Sequence, residues 1–236
     1  MYAANFAEVY ELIYRSRGKS WAGEAEETAR LIRARNPSAS SLLDVACGTG
    51  AHLETFGTLF DHVEGLEIAK GMRTVARERL PGVSVHAGDM RDFDLNRTFD
   101  AACCMFNSIA YLTSVADMSD AVRAMGRHLA PGGVLVIEPW WFPERFIEGY
   151  VAADAGAEDG KAVVRMSHST REGDSTRLEV RFMVGDADGI REFTQTSMLR
   201  LFTKDEYLEA FAAAGCPAEY LEGGLTGRGL FIGVRE

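Results

Sequence analysis

The segment Leu42-Leu43-Asp44-Val45-Ala46-Cys47-Gly48-Thr49-Gly50 decides the fold. Ser41 to Val45 is a short apolar run of strand length, and His52 to Leu59 resumes a helical pattern beyond the glycines. Gly48 and Gly50 let the chain bend tightly and let a ligand approach the backbone where a side chain would clash. Strand, glycine turn and helix are then repeated downstream. His62 to Leu66 reads as strand and Gly71 to Leu80 as helix, followed by strands at Ser84 to His86 and Phe99 to Phe106. A helix over Val115 to Leu129 and a strand over Gly133 to Glu138 close the series, and such alternation implies a mostly parallel sheet.

Upstream, Phe6 to Tyr14 and Trp21 to Arg35 read as helices separated at Gly18. Downstream of Pro139 the rhythm changes. Lys161 to Arg171 and Thr176 to Val184 read as strands joined by Glu172-Gly173-Asp174, an antiparallel hairpin, with a third long strand over Ile190 to Phe202. Thr203 with Glu206 three residues on is a capping box, opening a helix that ends before Gly215, and strands at Ala218 to Leu221 and Gly229 to Val234 complete the chain. The expected fold is α/β, a doubly wound seven-stranded sheet with an inserted antiparallel β-sheet. Residues 1–138 and 203–236 would form the cofactor-binding domain with a helical lid, and 139–202 the insert.

Composition narrows the function. At 236 residues the chain suits one domain with an insertion, and no apolar run approaches the 18 or so residues of a membrane span. The first residues lack a basic stretch followed by an apolar one, so the expectation is a cytoplasmic protein with no membrane association. A net charge of −10 opposes the neutralisation of many phosphates, which disfavours nucleic acid but allows a small anion held by local arginines. Cys47, Cys103, Cys104 and Cys216 form no C-x-x-C pair and read as buried free thiols, with no metal site.

The glycine turn alone serves both dehydrogenases and methyltransferases. The dehydrogenase fingerprint G-x-G-x-x-G wants a third glycine beside a pyrophosphate, and that position is Leu53. S-adenosylmethionine carries no pyrophosphate and so suits the turn better. Glu67 ends the second strand nineteen residues after Gly48, where a carboxylate can accept both ribose hydroxyls. Asp89 and Met90 follow the third strand, placed for the adenine amino group and ring, and Met105 ends the fourth near the methionyl part. Either methionine alone reads as sheet-end packing. Their succession at strand ends, with Asp44 and Ala46 in the first turn, outlines a cofactor cleft beyond the carboxyl edge of the sheet.

D-V-A-C-G-T-G, E-G-L-E, G-D-M-R-D-F and L-A-P-G-G-V resemble class I methyltransferases. Trp140-Trp141-Phe142-Pro143 after Glu138-Pro139, Ser167-His168-Ser169, and Gly227-Arg228-Gly229-Leu230-Phe231 further resemble the TDP-amino-sugar N,N-dimethyltransferases of the desosamine and mycaminose type, over essentially the whole length. The resemblance implies S-adenosylmethionine as cofactor and a TDP-aminodeoxyhexose as acceptor, and leaves a homodimer open. It implies that Tyr10 and Trp21 contact the cofactor, that Tyr2 contacts the sugar, and that Arg165, Ser167, His168, Ser169 and Arg228 bind the TDP group.

Tyr2, Phe6, Tyr10 and Tyr14 recur every four residues, which by itself reads as the packing stripe of a helix. By the same resemblance Arg17-Gly18-Lys19 forms the loop between the two helices, and Tyr14, Arg17 and Trp140 would extend the acceptor site. Arg165, Ser167, Ser169 and Arg171 share one face of their strand and Arg177, Glu179 and Arg181 one face of the next, a pattern that by itself equally describes a solvated face; the resemblance implies a platform for the nucleotide diphosphate, including Arg177. Tyr2, Tyr111 and His168 are the candidate catalytic residues. Tyr111 stands where some family members carry histidine, so a histidine base does not carry over, and His168 is expected chiefly to orient the ligand. A small-molecule O-methyltransferase is the nearest alternative, although no histidine or metal-carboxylate set stands out to remove a hydroxyl proton. A catalytically silent cofactor-binding module is the alternative of a different class.

Overall fold

A computed structural model describes residues 4–236. Helices α1 (Ala4–Ser16) and α2 (Trp21–Arg33) precede the sheet, and the Ser20 side chain caps α2 by accepting from the Gly23 N–H. The core alternates strand β1 (Ser41–Val45), helix α3 (Ala51–Leu59), β2 (His62–Glu67), α4 (Lys70–Arg79), β3 (Ser84–Ala87), β4 (Phe99–Cys104), α5 (Val115–Arg127) and β5 (Leu129–Ile137). Four long strands follow, β6 (Tyr150–Glu158), β7 (Lys161–Glu172), β8 (Ser175–Asp186) and β9 (Gly189–Arg200), and then α6 (Lys204–Ala213), β10 (Ala218–Leu221) and β11 (Leu230–Val234).

Seven strands form one sheet in the order β10-β11-β5-β4-β1-β2-β3, all running the same way except β11, which is antiparallel to both of its neighbours, β5 and β10. Chain order reverses between β1 and β4, the place where ligands bind in doubly wound sheets. Strand alternation divides the core. Leu43, Val45, Ala102 and Leu135 face α5 and α6, whereas Leu42, Ala101, Val134 and Ile232 face α2 and α3. The predicted capping box opens α6: Thr203 Oγ1 accepts from the Glu206 N–H at 3.2 Å and Glu206 accepts from the Thr203 N–H at 2.7 Å. All four cysteines are buried and unpaired. Among the described residues, no helix is long and apolar enough to cross a membrane.

Strands β6 to β9 form a separate antiparallel sheet, which α1 covers on one face by burying Val9, Leu12 and Ile13 against Val163, Val180, Phe182 and Val184. Sequence patterning missed β6, because Tyr-Val-Ala-Ala-Asp-Ala-Gly-Ala-Glu is rich in residues depleted from strands. Its small residues have a packing reason. A Cβ at Gly156 would lie 2.7 Å from Cβ of Ser16, so the strand comes within backbone reach of α1.

Candidate active site

The ends of β1 and β2 are joined by backbone geometry. Ala46, Gly48 and Gly50 all have positive φ, at 60°, 59° and 78°. Gly48 faces open space, with nothing within 4 Å of a built Cβ, whereas a Cβ on Gly50 would press on Leu80 and Ala76 at 3.2 and 3.3 Å. The first glycine thus opens the turn to a ligand, and the second lets α4 pack against it. Glu67 accepts the Gly48 N–H at 3.0 Å and the Ala69 N–H at 2.7 Å. Burial raises its carboxyl above the ordinary range despite those bonds.

Asp44 is fully buried under the turn, which pushes its carboxyl up to about 6. One oxygen faces the Cys103 thiol at 3.6 Å, and the other has no partner. Asp89, after β3, is gripped by the Arg91 guanidinium at 2.6 Å, which lowers its carboxyl, and Arg91 also reaches Asp117 at 3.1 Å. Met90 packs partly buried on the core, and Met105 is buried beneath the end of β4. Asp44, Ala46, Gly48, Gly50, Glu67 and Asp89 are therefore gathered along the carboxyl edge of β1 to β3.

Beside this edge lies a cavity of about 890 Å³. Tyr10 and Tyr14 of α1 face it, their rings edge-on at 4.9 Å, and Tyr14 meets Phe106 edge-on at 4.9 Å. Trp21 is buried behind Tyr10, ring centroids 6.2 Å apart, off the cavity wall. Phe106 and Asn107, just beyond β4, both have left-handed backbone, φ 52° and 55°. Two such residues in succession store strain of about 1–3 kcal/mol each and need their surroundings to hold them. Tyr111, partly exposed, lines the same cavity, as do Trp140, Arg165, Ser167 and Ser169.

Charge concentrates here. Among the described residues, Arg17, Lys19, Arg145, Arg165 and Arg228 line the cavity with one lining acid, Glu24. Asp154 draws two of the cations together, accepting Arg17 at 3.3 Å and Arg165 at 3.2 Å. The Arg228 guanidinium sits among the rings of Trp140, Phe106 and Trp141, 5.3 to 5.9 Å from their centroids. Its Nε and the Trp140 Nε1 are both buried donors without an acceptor. Lys19 is buried with its ammonium 3.7 Å from the Phe106 centroid and 2.5 Å from Glu24, which also bonds His52 at 2.8 Å. Burial lowers the Lys19 ammonium; it would likewise raise the Glu24 carboxyl, but bonds from His52 and Lys19 hold that group low.

Two expected contacts are corrected by strand parity. Arg165, Ser167 and Ser169 face inward, paired with Phe182, Val180 and Leu178, while His168 is exposed on the opposite face across from Glu179. Arg177, Glu179 and Arg181 share that outer face, where Glu179 accepts from Arg177 at 3.2 Å and Arg181 at 3.1 Å. Neither His168 nor Arg177 lines the cavity, so the arginine platform spanning both strands does not form. Tyr2 lies outside the described residues. Glu24, Phe106, Asn107 and Thr226 were not singled out from sequence; the segment after β4 is a short stretch whose role depends on its left-handed turn, which side-chain chemistry does not announce.

A nucleoside cofactor with an amino-acid tail fits the strand-end cleft. Gly48 leaves room over the turn, Glu67 offers a buried acceptor, and Asp44 has an oxygen free for a donor. The methyltransferase-domain family matches residues 42–133. Over 99% of both chains, the protein is 53% identical to a dTDP-3-amino-3,4,6-trideoxy-alpha-D-glucopyranose N,N-dimethyltransferase from Streptomyces venezuelae. It is 49% identical to a dTDP-4-amino-2,3,4,6-tetradeoxy-D-glucose N,N-dimethyltransferase from Saccharopolyspora spinosa, over 100% of this chain and 94% of that one. A solved structure of a SAM-bound amino pentose methyltransferase from Micromonospora echinaspora, involved in calicheamicin biosynthesis, shares 62% identity and superposes with a TM-score of 0.90 over 97% of each chain. With a doubly wound sheet carrying the glycine turn and an arginine-lined cavity beside it, the chain belongs to the family of S-adenosylmethionine-dependent dTDP-amino-sugar N,N-dimethyltransferases.

Proposed function

We propose that this protein transfers two methyl groups in turn from S-adenosylmethionine to the amino group of a dTDP-linked aminodeoxyhexose, in the biosynthesis of an unusual sugar. The observation that carries this reading is the clustering of cations at the cavity: among the described residues Arg17, Lys19, Arg145, Arg165 and Arg228 line it, in a chain whose net charge is −10, each positioned by an acidic partner, Asp154, Glu24, Glu222 or Glu138. Such a cluster suits a diphosphate, and paired guanidiniums bind its oxygens through charge-assisted bonds. Arg17, Arg165 and Arg228 would hold the nucleotide diphosphate, with Ser167, Ser169 and the Trp140 N–H as further donors. Tyr10 and Tyr14 would close over the sugar and the methyl donor, and Asp44, Ala46, Gly48, Gly50, Glu67, Asp89, Met90 and Met105 would form the cofactor cleft.

When bound, S-adenosylmethionine supplies an electrophilic methyl on a sulfonium. The chain's own residues then have one principal task, to hold the amine lone pair in line at about 3–3.5 Å. Among the described residues no histidine lines the cavity, and the proposed reaction calls on no imidazole to take the amine proton. Tyr111, which lines the cavity, would orient the amine through its hydroxyl. A sugar amine is partly neutral near pH 7, so alignment and exclusion of water supply most of the acceleration.

An amino pentose is a second reading, favoured by the 62% identity to the calicheamicin-pathway methyltransferase. Assay of a panel of dTDP-amino sugars, hexose and pentose, amine on different carbons, with methyl-labelled cofactor tests both. Label in none of them would reject the proposed function. We further propose a cytoplasmic homodimer that does not bind nucleic acid. Exposed Val151, Val164, Met166 and Met183 on the outer face of the inserted sheet support self-association, as an apolar face of this kind is usually covered.

A further inference from the structure

Glu138 directly follows β5 and is fully buried. Its N–H donates to Cys104 O at 3.0 Å, which extends the pairing with β4 by one residue and fixes the side chain at the sheet edge. One carboxylate oxygen accepts the Phe106 N–H at 2.7 Å, at the entry to the left-handed Phe106–Asn107 turn. The other accepts from the Thr226 hydroxyl and from the Arg228 guanidinium, at 3.3 Å for the latter. A single carboxylate thus joins the wall carrying Phe106 and Asn107 to the C-terminal loop carrying Arg228.

We propose that Glu138 is a positioning residue for methyl transfer: it sets the anion-binding Arg228 at a fixed offset from the turn ending β4, so that seating the diphosphate places the amine. This rests on the assignment of Arg228 to the nucleotide diphosphate. Two features of the cluster carry it. The left-handed pair at Phe106 and Asn107 persists only if something outside the turn holds it, and Glu138 takes its first N–H. Further, Phe106 N–H and the Arg228 guanidinium can only donate, so a carboxylate with acceptors on both sides satisfies them together. A glutamine keeps the shape but offers one oxygen and a pair of N–H donors, leaving one of these two partners facing a donor.

The experiment is steady-state kinetics of E138Q on the dTDP-amino sugar that the wild-type protein turns over best, with cofactor affinity measured by calorimetry. We expect kcat/KM for the sugar nucleotide to fall roughly 10- to 100-fold, with KM raised and kcat lowered, while cofactor affinity stays within about twofold. In an R228A background the KM effect of E138Q should shrink below about threefold, because the residue acts through Arg228. Undiminished KM effects in that background, a kcat/KM within about threefold of wild type, or an equal loss of cofactor affinity would each overturn the proposal. Should E138Q fail to fold, T226V decides: a KM raised roughly three- to tenfold at unchanged melting temperature supports it, and an unchanged KM overturns it. Failure of the functional reading itself would appear earlier, as a wild-type protein that methylates no dTDP-amino sugar.

Discussion

Glu67, at the end of β2, accepts the backbone N–H of Gly48 at 3.0 Å, so the acidic residue and the glycine turn that mark the cofactor cleft form one unit. Its second bond, from the Ala69 N–H at 2.7 Å, fixes the carboxylate at the start of α4. Glu67→Ala should therefore weaken cofactor binding by about 1.5–3 kcal/mol for each charged hydrogen bond lost to the ribose, while the sheet remains folded. Titration calorimetry checks this, and unchanged affinity would refute the assignment of the cleft.

Asp44 makes a pH-dependent contribution of known sign. Burial raises its carboxyl to about 6 in the folded protein, against about 3.9 in an unfolded chain. The charged form is thus penalised on folding: there is no cost below about pH 4, a growing cost between pH 4 and 6, and the full cost above. Asp44→Asn should stabilise the cofactor-free protein near neutral pH by up to about 3 kcal/mol, and the gain should vanish near pH 4. Thermal melts at the two pH values measure it. A variant destabilised at neutral pH would contradict the argument.

The two faces of β7 give a paired prediction. Arg165→Ala should raise KM for the sugar nucleotide roughly 10- to 100-fold, since a charge-assisted contact to phosphate is lost. His168→Ala and Arg177→Ala, on the outer face, should leave kcat/KM within about threefold. If His168→Ala abolished activity with the fold intact, the placement of the diphosphate on the inner face would fail.

Much of this was legible in the sequence because it depends on local chemistry. The glycine turn, Glu67 nineteen residues on and the Thr203–Glu206 capping box each specify their own geometry. Face assignment in the insert was not. The expectation joined the arginine-bearing faces of the two strands, whereas the hairpin turns at Gly173-Asp174, pairs Glu172 with Ser175, and sets Arg165 opposite Phe182 and Arg177 opposite Thr170. Because side chains alternate, that register puts Arg165 and Arg177 on opposite faces. The contacts of Glu138 were equally hidden, because Phe106, Thr226 and Arg228 meet it only through long-range folding.

Tyr111→Phe should lower kcat less than about tenfold, because alignment rather than side-chain proton transfer supplies most of the acceleration. Single-turnover kinetics with saturating cofactor give the comparison. A loss of several orders of magnitude with unchanged substrate affinity would make Tyr111 a proton-transfer residue.

The central claim is that the acceptor is an amine methylated twice. After one transfer the secondary amine is still nucleophilic and only one methyl larger, and the spent cofactor must be exchanged before the second transfer, an interval in which the sugar can also be released. Time-resolved mass spectrometry of the dTDP-amino sugar at high substrate tests this directly. We predict that monomethyl product accumulates first and then converts to the dimethyl product, with no trimethyl species, since a third transfer would need a lone pair the tertiary amine would have to aim past two methyls at the aromatic wall. A reaction halting at one methyl, or methyl found on oxygen, would contradict the account.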